Sequence, residues 1–99
     1  MSKSKVEFAS ETATDAIPTH QGLYTAILKC GGSTVSLQAK HPDQPDSEFV
    51  TLSIPLQDGT RATETDTDDI LPLPGGLDYR LDVTAYVAPG FLKITKSSE

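Results

Sequence analysis

The feature that most constrains this chain is a series of short runs, LYTAILKC, STVSLQ, FVTLSI, DYRLDVTAYV and FLKIT, in which apolar and polar residues alternate. From Leu23 onward these runs are separated by glycine, proline and aspartate clusters. A period of two places successive side chains on opposite faces of an extended chain, so each run reads as a β-strand bounded by turns. No window of about eleven residues or more carries a helical apolar stripe, which leaves little room for helix. LYTAILKC sets Tyr24, Ala26, Leu28 and Cys30 on one face and Leu23, Thr25, Ile27 and Lys29 on the other, so both faces are expected to be at least partly covered. Gly31-Gly32 tolerates positive φ and predicts a hairpin into STVSLQ, with Val35 and Leu37 turned inward. AKHPDQPDSE is all turn chemistry and predicts an exposed loop, after which FVTLSI reads as a strand with Val50, Leu52 and Ile54 on one side. Asp58-Gly59 marks a turn, LPLPGG a stiff corner, and Pro89-Gly90 the turn before a last strand that points Leu92 and Ile94 inward.

Ninety-nine residues at 36% hydrophobic suffice for one domain with one modest core. Strands at roughly ten-residue spacing bury their alternating faces only by stacking two sheets or closing a barrel. The expectation is an all-β fold, a small antiparallel β-sandwich, immunoglobulin-like or jelly-roll-like, of about six to seven strands over residues 20–96. Residues 1–19 are poor in large apolar groups beyond Met1, Val6, Phe8 and Ile17 and are expected to form an extended N-terminal arm; residues 97–99 form a polar tail. Within the arm, KVEFA alternates and could add as a strand to a sheet edge, its own or a neighbour's, or remain a disordered terminus. Ile17-Pro18 ends that segment. The corner from Leu73 to Gly76 followed by Tyr79 resembles the tyrosine corner of fibronectin-type and immunoglobulin-like domains, although the proline-to-tyrosine spacing is one longer and the chain has neither a core Trp nor a cysteine pair.

The residues speak against most chemistry. A net charge of −6 opposes nucleic-acid binding, which needs a concentrated basic surface. Apolar runs such as Ala26 to Leu28 fall far short of the ~18 residues a membrane helix requires, so no membrane partner is expected. The opening MSKSKVEFASETATD has two lysines but no apolar stretch, so it does not read as a secretory leader. Cys30 is the single cysteine, which excludes an internal disulfide and fits a reducing compartment; beside Lys29 and Gly31-Gly32 it reads as a structural thiol. His20 and His41 both sit in turn contexts and in no zinc or catalytic spacing. Glu64, Asp66, Asp68 and Asp69 raise a calcium hypothesis, since residues 64, 66 and 68 on one strand face would present three carboxylates, but the spacing is not that of an EF-hand loop. The acids, with Asp43, Asp46 and Glu48, read instead as a solvated edge that resists aggregation. No phosphate loop, nucleophile elbow or metal-ligand cluster is present, so no cofactor and no enzymatic activity are expected.

What remains is interaction. Ten leucines, five isoleucines, five valines and three phenylalanines make a small core, and small domains gain stability by association, so a homo-oligomer, dimer or trimer, is expected. The order GLYTAILKCGGSTVSLQAK, a Pro-Asp loop, FVTLSIPLQDG, a Thr/Asp stretch, LPLPGGLDYRLDV and FLKIT, over about residues 22–95, is similar to the layout of small tailed-bacteriophage virion proteins. The resemblance implies a non-enzymatic capsid decoration or cement subunit that binds the major capsid protein or other virion subunits, located in the virion and in the host cytoplasm during assembly. Anchors for such adhesion would be apolar residues left over once the core is filled, and Val6, Phe8, Ile17, Phe49, Tyr86 and Phe91 are the candidates. The alternative is a receptor- or carbohydrate-binding accessory module of a fibre or cell surface, using loops 39–48 and 58–69, against which the scarcity of aromatics counts.

Overall fold

In a computed structural model, which describes residues 4–55 and 59–97, the described residues form ten β-strands. They are β1 (Lys5–Phe8), β2 (Ile17–Pro18), β3 (Leu23–Lys29), β4 (Thr34–Lys40), β5 (Val50–Thr51), β6 (Ile54–Pro55), β7 (Arg61–Ala62), β8 (Asp69–Pro74), β9 (Asp78–Ala85) and β10 (Gly90–Lys96). The only helical element among the described residues is a single 3-10 turn at Asp46–Glu48, and no helix there is long and apolar enough to cross a membrane. Met1 of the arm, Asp58 of the expected Asp58-Gly59 turn, and Ser98 and Glu99 of the tail lie outside the described residues.

The strands form two antiparallel four-stranded sheets, ordered β1-β10-β3-β8 and β2-β9-β4-β5, with β6 and β7 a small separate ribbon. Eight strands in that interleaved order are the double Greek key of the jelly roll, one of the two sandwich arrangements the sequence allowed. The immunoglobulin arrangement is excluded, because there the last two strands share a sheet, whereas here β9 and β10 lie in different sheets. The core lies between the layers. One sheet contributes Val6, Phe8, Ala26, Leu28, Leu71, Leu73, Leu92 and Ile94, and the other Ile17, Val35, Leu37, Ala39, Tyr79, Leu81 and Val83; Ile54 is buried with them.

Three local expectations need correction. Gly31 and Gly32 adopt positive φ, 63° and 91°, and Ser33 N–H donates to the Cys30 carbonyl at 2.9 Å, so the tight turn forms. The hairpin does not. β3 is flanked by β10 and β8, while β4 pairs with β9 and β5, so the turn carries the chain across the core from one layer to the other. Ser33, fully buried, holds it there: its Oγ accepts from the Val87 and Ala88 amides at 2.8 and 3.1 Å, tying this crossing to the one between β9 and β10. FVTLSI, secondly, is not one strand. The outer edge of β4 is shared: Leu52 N–H donates to the Leu37 carbonyl and Thr65 exchanges both hydrogen bonds with Val35, so the chain peels away after Leu52 into β6 and β7 and returns at Thr65. Thirdly, LPLP is the body of β8 rather than a corner. Proline cannot donate, so Pro72 and Pro74 must turn their nitrogens away from β3, which is possible only because β8 is an edge strand.

The corner beyond β8 contains the bond its sequence resembled. The Tyr79 hydroxyl donates to the Pro74 carbonyl at 2.5 Å while its ring is fully buried. Tyr79→Phe keeps the ring and deletes this bond, so thermal denaturation should report a loss of about 1 kcal/mol; a variant as stable as the parent would mean that the bond carries no net stability.

Of the outcomes open to the arm, strand addition to its own sheet is the one found, and the segment goes further by reaching both layers. Residues 5–8 are a strand of one sheet, and residues 12–18 run along β9 in the other, with Thr14 N–H donating to the Leu81 carbonyl and Val83 N–H to the Thr12 carbonyl. Removing residues 1–19 therefore strips an edge from each sheet and takes Val6, Phe8 and Ile17 from the core. At ~1.5–3 kcal/mol per buried side chain that loss is comparable with the whole stability of a typical domain. The truncated chain is expected to lose cooperative thermal unfolding by circular dichroism, contrary to the independent 20–96 domain expected from sequence.

Candidate functional site

Of the six expected anchors, Val6, Phe8 and Ile17 are 5%, 3% and 1% exposed. They are corrected from surface anchors to core residues, because the arm that carries them completes both sheets. Tyr86 packs its ring edge-on to Phe8, centroids 6.4 Å apart, and is half-buried against the core. Phe49 lies under cations on the outer face of the β2-β9-β4-β5 sheet, with the Arg80 guanidinium 4.0 Å and the Lys40 ammonium 5.6 Å from its ring centre. That face carries polar contacts: Arg80 Nε donates to Gln38 Oε1 at 2.8 Å, Gln38 Nε2 donates to Thr51 Oγ1, and Lys40 pairs with Asp78 at 3.2 Å. Phe91 alone of the six faces outward on the other sheet, half-buried, with the Lys5 ammonium 4.6 Å over its ring.

The outer face of the β1-β10-β3-β8 sheet is different. Register places Ile27 beside Ile70, Thr25 beside Pro72 and Leu23 beside Pro74, forming a continuous apolar stripe along β3 and β8. Leu23 and Ile70 are 63% and 70% exposed. The second face of LYTAILKC is partly covered, as expected, at Thr25 and at Ile27, which is 38% exposed, and open at Leu23. Ile27, Ile70 and Pro72 line one side of an open hollow of about 560 Å³, with Phe91, Lys29 and Pro55 also in its lining. A second hollow of about 300 Å³ continues past Leu23, Pro72 and Pro74. β1, β3 and β10 set Lys5, Lys29 and Lys93 around the stripe together with Glu7, and Asp68 and Asp69 line the hollow beside it, so the stripe is rimmed by charges of both signs. Sequence reasoning missed Leu23, Ile27 and Ile70. Their signal was apolar residues at both parities of one strand run, which reads equally as a strand covered on both faces.

Among the described residues no constellation for catalysis assembles. Cys30 is fully buried; its thiol donates to the Thr67 carbonyl at 3.2 Å and its amide N–H to Asp68 Oδ1 at 2.9 Å. Burial, reinforced by Asp68, Asp69 and Asp66, pushes the thiol up to about 12, which keeps it neutral and unreactive. Of the residues 64, 66 and 68 expected to share one strand face, Glu64 accepts from Thr84 Oγ1 at 2.7 Å and Asp68 from the Cys30 amide, so their carboxylates are engaged apart; Asp69 accepts from Thr67 Oγ1. Among the described residues no three His, Cys, Asp or Glu side chains gather as a metal site would require. The Thr/Asp stretch is a strap closing the β4 edge, with Asp69 and Thr65 buried, and only part of it is the solvated edge expected.

Tyr79 is likewise pushed up to about 12 by burial. Both groups hold their protons higher in the folded chain than in an unfolded one. The stability they contribute is therefore whole below pH about 9 and is lost as the pH rises toward about 12. Urea midpoints should fall across that window, less steeply in Cys30→Ala, and a midpoint indifferent to pH there would contradict the burial argument.

No known protein family, curated protein or solved structure matches the chain.

Proposed function

We propose that this chain is a non-enzymatic structural virion protein of the capsid decoration type, which adheres to the outer capsid surface through the apolar stripe on β3 and β8. The observation that carries the reading is that stripe: Leu23, Ile27, Ile70, Pro72 and Pro74 lie contiguous and solvent-facing on one sheet, while Arg80, Gln38, Thr51, Lys40 and Asp78 make polar contacts across the opposite one. Contiguous exposed apolar surface rimmed by charge is where soluble proteins meet partners. Covering it yields roughly 25 cal/mol per Å² of apolar area removed from water, and a rim of Lys5, Lys29 and Lys93 with Glu7, Asp68 and Asp69 favours a partner whose border offers charges of both signs. The double Greek key recurs in viral capsid and lectin domains, an analogy of architecture that agrees with the reading without carrying it. A rigid sandwich laid across neighbouring capsid subunits would hold together a seam that packed genome pulls apart. On this reading the protein resides in the virion, passes through the host cytoplasm during assembly, and needs no cofactor.

Ile70→Lys places a charge in the middle of the stripe at a position with little to lose in the fold. It should weaken attachment to capsid shells about tenfold or more while moving stability by no more than ~0.5 kcal/mol. Co-sedimentation with shells measures the first and thermal denaturation the second; undiminished attachment would remove the stripe from the proposal. Specific binding on a glycan array, with none to shells, would favour the accessory receptor- or carbohydrate-binding module instead.

A further inference from the structure

We propose that two copies of this chain join edge to edge through β1, about a two-fold axis at Val6, into one continuous eight-stranded sheet. The inference begins from main-chain geometry. The Ser4 carbonyl accepts from the Ile94 amide, so alternation along β1 turns the main-chain groups of Val6 and Phe8 toward β10 and those of Lys5 and Glu7 away from it. β1 ends its sheet, and the outward N–H and C=O groups of Lys5 and Glu7 hydrogen-bond to no described residue.

The other sheet edges are poor templates. β8 has lost two outward donors to Pro72 and Pro74, β2 is two residues long and includes Pro18, and β5 is two residues long and gives way to the Thr65 crossing. β1 alone offers regular alternation of free donors and acceptors on an extended strand.

Charge then selects the partner and the register. Antiparallel pairing that uses the free groups of Lys5 and Glu7 can centre on Lys5, on Val6 or on Glu7. Centring on Lys5 sets lysine against lysine, and centring on Glu7 sets glutamate against glutamate. Centring on Val6 sets Lys5 of each copy opposite Glu7 of the other, twice, with both side chains on the solvent face, where they are 45% and 75% exposed. Opposite charges directly across a ladder stabilise it and like charges destabilise it. Four main-chain hydrogen bonds then flank the Val6 pair, two for each Lys5–Glu7 match. The strand is thus complementary to itself, as a two-fold interface requires.

A two-fold through an antiparallel ladder stands perpendicular to the sheet, so both apolar stripes emerge on the same side of the joined sheet. A dimer of this kind presents two adhesive faces to one surface and gains by avidity. The contact is short, so it forms at high protein concentration or on a surface that concentrates the chain.

Sedimentation equilibrium on the isolated full chain tests the pairing without any capsid, so its outcome is separate from that of the stripe. Apparent mass should climb with concentration from 10.6 kDa toward twice that value. K5E and E7K alone each place like charges across the ladder and should weaken association roughly tenfold, while the double variant K5E/E7K restores unlike pairs and should recover it. Amide exchange supplies a second reading: the Lys5 and Glu7 amides should gain protection with concentration, and those of Val6 and Phe8 should be protected throughout. A chain that stays at 10.6 kDa at every concentration, or single variants that associate like the parent, would overturn the proposal.

Discussion

The insertion of β10 between β1 and β3 is the pairing on which the rest of the structure depends. It places the last strand of the chain between the first and the third, so Leu92 sits in one row with Val6 and Leu28, and the three side chains meet beneath the same stretch of sheet. Neither β1 nor β10 could hold an extended conformation alone, since a lone strand exposes half its main-chain groups and buries little. Because both termini must arrive before this sheet exists, the fold rests on contacts distant in sequence, a topology that forms slowly and cooperatively. The same insertion explains why the N-terminal segment is part of the body of the molecule.

Once the two layers are fixed, their outer faces diverge in chemistry. The β2-β9-β4-β5 sheet is covered by its own side chains: Phe49 folds over Arg80, Gln38 links Arg80 to Thr51, and Lys40 reaches Asp78. The β1-β10-β3-β8 sheet leaves Leu23, Ile27 and Ile70 to solvent. The difference follows from topology. The excursion between β5 and β8 returns along β4 at Thr65, while Pro55, Asp68 and Asp69 come beside the other face without covering Leu23, Ile27 and Ile70.

The Thr/Asp strap shows how polar residues can serve structure where chemistry might have been sought. Asp68 accepts the Cys30 amide at the end of β3, where the chain leaves its ladder and that donor would otherwise be unpaired, and Thr65 and Thr67 receive the thiol's weak donor at their carbonyls. The carboxylates near Cys30 thereby raise its proton affinity further, and the site that holds the one thiol of the chain also silences it.

The reversal expected at Pro89-Gly90 falls at Val87 and Ala88, with Gly90 already in β10. The sequence by itself determined the class of fold, the strand runs around Leu28, Leu37, Leu81 and Leu92, the turn at Gly31-Gly32, and the corner that becomes the Tyr79–Pro74 bond. These are local matters: alternation sets which side chains can share a face, and turn residues set where the chain can reverse. Tertiary structure decided which strands pair, and with that which faces are buried and which are bare. A tight turn of two glycines serves a hairpin or a crossing equally, and only the competition of β8 and β10 for the edges of β3 sent β4 to the other layer. Val6, Phe8 and Ile17 look the same in sequence whether they fill a core or anchor a partner, and Leu23, Ile27 and Ile70 look the same whether covered or bare. Burial is a property of what packs against a face, and the period of a strand does not encode it.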